Sequence, residues 1–95
     1  MYPFVTLALR RIQKNRLHEI ESGVTSFELD GKTFSAVEVS TCLVRALNDN
    51  EIQAALLDEL ANRGIRLRGL PLLQWLIDNW ETVLKIILTI IELIG

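Results

Sequence analysis

The chain reads as an α+β protein, mostly helical. A helix–β-hairpin–helix(–helix) module at 1–69 precedes a long hydrophobic C-terminal helix at 71–95. Three observations predict this. Asp30-Gly31 sits between two short segments in which apolar and polar residues alternate, the strongest short-range signal for a β-hairpin. Before and after that pair, apolar residues recur with a period near 3.6. After Pro71 the chain is apolar around most of the helical circumference.

The first helix runs from Pro3 to Glu21. Proline is tolerated in a first turn because its missing N–H has no helical partner there. Val5, Ala8, Leu9, Ile12 and Ile20 share one side, while Arg10, Arg11, Lys14 and His18 lie opposite. Arg16 intrudes on the apolar side and Leu7 on the polar one. Gly23 is placed to end the helix as a residue with positive φ.

The hairpin follows over 24–37. A type I′ turn at Asp30-Gly31 fixes the register, pairing Leu29 with Lys32, Phe27 with Phe34 and Thr25 with Ala36. The two phenylalanines then meet across the strands on one face. A lone hairpin is marginal in water, so that face needs a helix against it. Ser40 or Thr41 is expected to cap a short helix carrying Cys42, Leu43, Val44, Ala46 and Leu47. Asn48, with Glu51 three residues on, is expected to cap the next, whose apolar stripe is Ile52, Leu56 and Leu60, with Leu57 beside it. Residues 40–63 read as one bent helix or as two, with a break near Asn48–Asn50 the favoured reading, and Gly64 stops the stretch.

The final element is expected to be one helix from Pro71 to about Ile94. Gln74, Asp78, Glu81, Thr82, Lys85, Thr89 and Glu92 form a polar stripe about 100° wide, and all else but Asn79 is apolar. Three readings stay open. It is the central helix of a small bundle, a membrane helix, or a segment that inserts into a partner. A lone span is near break-even. Its apolar side chains contribute about −4 to −7 kcal/mol, against roughly +5 to +7 kcal/mol for Glu81 and Lys85 near the centre. Trp75, Trp80, Leu84, Ile87 and Ile91 are the candidate contacts to a second copy or to lipid. Asp78, Glu81, Lys85 and Glu92 are the candidate polar seam.

The 95 residues carry a net charge of −2, arranged as basic, acidic, then basic stretches. Arg10, Arg11 and Lys14, with Arg63, Arg66 and Arg68, form a candidate basic surface. The second trio precedes the hydrophobic helix, as an N-in membrane orientation would have it. Nucleic acid is not the expected partner, because the overall charge is negative and aromatic residues are sparse beside the basic face.

Enzymatic chemistry is not expected. His18 and Cys42 are the only histidine and cysteine, so no His/Cys metal set and no histidine-based triad can be assembled. The glycines form no phosphate-binding loop, and no cofactor is expected. A single cysteine allows no internal disulfide. No signal peptide is read at the N-terminus, so a cytoplasmic or membrane-associated location is expected, with the first module on the cytoplasmic side.

The stretch Leu17-His-Glu-Ile-Glu-Ser-Gly-Val-Thr-Ser-Phe-Glu-Leu-Asp-Gly-Lys-Thr-Phe, with the helix before it and the capped helix after it, resembles the phage head–tail joining protein W family over residues 7–48. The resemblance implies a small α+β unit of two helices and a hairpin, joining head to tail as a ring of subunits without enzymatic activity. Residues 49–95 depart from that family. The expectation is a non-enzymatic assembly protein, a homo-oligomer or membrane-tethered through its last helix, with a virion among its settings. A tail-anchored or membrane-permeabilising effector is the alternative. A nucleic-acid-associated accessory protein using the basic first helix comes after it.

Overall fold

The computed structural model describes residues 2–94. Its elements, in order, are α1 (Pro3–Glu21), β1 (Ser26–Leu29), β2 (Lys32–Ser35), α2 (Ala36–Leu47), α3 (Asn50–Asn62), α4 (Gly69–Asp78) and α5 (Trp80–Ile94). The two strands form one antiparallel hairpin, and α2 and α5 pack against it.

Local sequence chemistry sets most boundaries. Pro3 occupies the first turn of α1. The helix ends where Gly23 takes φ +108°, with its N–H bonded to the Ile20 carbonyl and the Val24 N–H bonded to that of Glu19. This satisfies carbonyls the last turn would otherwise leave open. Gly64 ends α3 the same way, with N–H bonds from Gly64 to Ala61 and from Ile65 to Leu60. In the hairpin, Asp30 and Gly31 both take positive φ, as a type I′ turn requires, and Phe27 pairs with Phe34 and Leu29 with Lys32.

Two caps differ from expectation by a few residues. Helix α2 begins directly at the end of β2, capped by Ser35 rather than Ser40 or Thr41. The Ser35 Oγ accepts from the Glu38 N–H, and the Glu38 carboxylate accepts from the Ser35 N–H, each at 3.1 Å. That reciprocal pair satisfies two free donors at once, which neither later residue could do. Helix α3 is capped by Asp49, not Asn48. Asn48 instead closes α2, its Nδ2 donating to the Val44 carbonyl.

The larger correction concerns 71–95. It is not one long hydrophobic helix but two, α4 and α5, parted at Asn79. Both the Asn79 backbone N–H and its Nδ2 donate to the Trp75 carbonyl at 2.9 Å. A short amide side chain that competes for backbone partners is a poor interior helix residue and a good terminator. The bend gives each half its own surface to bury. Helix α4 packs along α1, while α5 packs against α3, α2 and β1.

The buried side chains form a single core drawn from both stretches of the chain. Val5, Leu9 and Ile12 of α1 belong to it, as do Leu43 of α2, Leu56 of α3, Leu76 of α4 and Leu84 of α5. That core draws on residues from both sides of position 70. Gln53 is the one fully buried polar side chain among the described residues. Its Nε2 donates to the Ala46 carbonyl and its Oε1 accepts from the Thr6 hydroxyl, tying α1, α2 and α3 together.

Candidate functional site

The residues expected to make outside contacts separate into two groups. Leu84 and Ile87 are 0% exposed, consumed by the chain's own core. They have no surface left for lipid or a partner, because α5 turns them toward α2, α3 and the hairpin. Trp75 and Trp80 are half-buried. The Trp80 ring is covered by the Arg16 guanidinium, 3.6 Å from its centroid, and meets Phe27 edge-on at 6.1 Å. Ile91 alone of the five lies in an open groove.

The polar seam stays on the outside of α4 and α5. Asp78 accepts from Gln74, and Glu81 and Glu92 are exposed. Lys85 forms no ion pair with Glu81 among the described residues. Its Nζ lies 5.2 Å from the centre of the Phe34 ring instead. A hydrated ammonium over an aromatic face is a favourable contact without a carboxylate.

The basic residues are not gathered into one patch. Arg10, Arg11 and Lys14 lie exposed along α1. Arg63 pairs with Glu59 and borders a hollow shared with Asp30 and Lys85. Arg66 and Arg68 border a different cleft of about 480 Å³, where Tyr2 and Phe4 at the start of the chain meet Leu57 of α3 and Leu72 of α4. Sequence spacing joins the three arginines, but the turn at Gly64 parts them.

The surface that sequence reasoning missed lies between α2 and α5. A groove of about 260 Å³ is lined by Val37, Glu38, Thr41, Cys42 and Arg45 of α2 and by Leu88 and Ile91 of α5. Val37 is 74% exposed, and Val44, on the same α2 face two turns on, is 50% exposed. The signal was present as Val37-x-x-x-Thr41-x-x-Val44, a second stripe on a helix whose first stripe, Val39, Cys42, Leu43 and Ala46, is buried. Charges flank it. Glu38 uses one carboxylate oxygen for the cap and leaves the other without a partner among the described residues. Arg45 has no ion-pair partner among them.

Among the described residues no group of His, Cys, Asp and Glu could hold a metal ion. Cys42 is the one thiol, and burial pushes its pKa up to about 12, where it is neither nucleophile nor ligand at neutral pH. No helix among the described residues is long and apolar enough to cross a membrane. None of the protein-family models, curated proteins or solved structures compared with the chain matches it.

Proposed function

We propose that this chain is a non-enzymatic structural protein that assembles with copies of itself. The observation that carries this reading is the second apolar stripe of α2. Val37 and Val44 project from a folded chain whose other α2 stripe is already buried, and Val37 borders a groove lined by Leu88 and Ile91 of α5. A contiguous apolar surface flanked by charge is the ordinary mark of a protein-contact site. The C-terminal segment contributes Ile91 and Leu88 to that surface rather than a free helix, since Val83, Leu84, Ile86 and Ile87 are spent on the core and Leu93 and Ile94 stay exposed at its end. A phage particle is the setting that the resemblance of residues 7–48 suggests, and a ring or other closed assembly suits both.

The purified chain is expected to form defined oligomers without lipid or detergent, with mass rising over a concentration series in sedimentation velocity. It is expected to remain in the supernatant with anionic liposomes. A monomer at every concentration overturns the proposal. Partitioning into the liposomes favours the membrane-active alternative instead.

A further inference from the structure

We infer that the contact is a two-fold one, in which the α2 helices of two copies pack antiparallel over their α2–α5 grooves. This rests on the self-assembly reading and specifies its surface. The observation is the placement of Glu38 and Arg45. They stand seven residues apart, almost two full turns, so both lie on the same flank of the Val37–Thr41–Val44 stripe. That flank faces α5, since both residues line the groove with Leu88 and Ile91.

Symmetry does the rest. A two-fold contact places the same patch on both copies. With the axis passing beside Thr41 and Cys42, Glu38 comes opposite the partner's Arg45, and Arg45 opposite the partner's Glu38. Val37 then falls within a turn of the partner's Val44. Leu88 and Ile91 approach their own counterparts along the same flank, so α2 and α5 of both copies enclose the grooves. A parallel two-fold would put the two groove flanks on opposite sides of the contact, leaving Glu38 and Arg45 of each copy without a partner's charge. The antiparallel one supplies each free charge with a partner.

The test uses the full chain and charge reversal. Glu38→Lys makes both flanking positions positive, and Arg45→Glu makes both negative. Each variant alone is expected to dimerise at least about tenfold more weakly than the parent, a change of roughly one decade in the constant. An equimolar mixture is expected to restore a dimer containing one of each, resolved by a tag on one variant. Glu38 also caps α2, so a second measurement avoids it. Thr41→Cys, at the axis, is expected to form an intermolecular disulfide under mild oxidation. Parent dimers that survive both reversals, a mixture that fails to restore them, or a Thr41→Cys chain that does not crosslink each overturn the antiparallel contact while leaving self-assembly standing. A parent chain that is monomeric throughout overturns both.

Discussion

At the residue scale, burial sets the chemistry of Arg16, which broke the pattern of α1, and of Cys42, which kept that of α2. Arg16 sits on the apolar side of α1 and is 7% exposed. Its guanidinium stacks on Trp80 and one Nη donates to Glu19 at 2.8 Å, but Nε and the other Nη have no partner among the described residues. Stacking of a desolvated guanidinium is worth up to about 2 kcal/mol. The aromatic face thus offsets part of what burying that charge costs. Cys42 is the opposite case, an ordinary buried hydrophobe whose only chemistry is latent. Its thiol ionises at about 12 in the folded chain against an ordinary value of 9.0. The unfolded chain therefore loses this proton first. The contribution is intact below about pH 9 and is lost as pH climbs toward 12, at up to about 1.4 kcal/mol per pH unit. Denaturation at a series of pH values should show the parent losing stability relative to Cys42→Ala across that window, and parallel profiles would contradict it.

At the element scale, the termini are where local chemistry decides. Ser35 is at once the last residue of β2 and the cap of α2, so no linker separates strand from helix. Ser35→Ala removes the hydroxyl that accepts the Glu38 N–H and should cost about 1 kcal/mol, read as a lower denaturation midpoint with an unchanged slope. The hairpin register and the glycine stops were readable because each depends on a few adjacent residues with unusual backbone angles. The α2 cap was not placed correctly. Ser35, Ser40 and Thr41 all offer a hydroxyl, and Glu38 selects Ser35 only if β2 ends there. The break at Asn79 had a signal, since Asn79 was the one polar residue off the stripe. Yet a single asparagine does not oblige a helix to bend. What obliges it is that α1 and the α2–α3–β1 group present surfaces that one straight rod could not cover together.

At the scale of the whole molecule, the last third of the chain is structural rather than appended. Residues 1–69 without it lose Leu72, Leu76, Val83, Leu84, Ile86 and Ile87 from the core. At about 1.5–3 kcal/mol for each buried side chain, the loss is as large as the total stability of a domain this size, about 5–15 kcal/mol. A chain ending at residue 69 should show helical circular dichroism without a cooperative thermal transition. A sharp transition near that of the full chain would restore the view of 1–69 as a separate module. The candidate surface follows from the same packing. Once α5 settles beside α2, Leu88 and Ile91 line a groove with Val37, while Val44 stays exposed on the same α2 face.

The sequence by itself determined the first helix, the hairpin and its register, and the stops at Gly23 and Gly64. These depend on residue type and short spacing, which act within a few positions of the chain. Only the tertiary structure decided which apolar faces remain outside. The hydrophobic stretch after Pro71 suits lipid, a partner or the chain's own core equally well by composition. The choice among them depends on whether α1, α2, α3 and the hairpin leave a space that fits it. They do, with a bend at Asn79, and the apolar side chains left exposed include Val37 and Val44 on α2 as well as Leu93 and Ile94 at the end of α5.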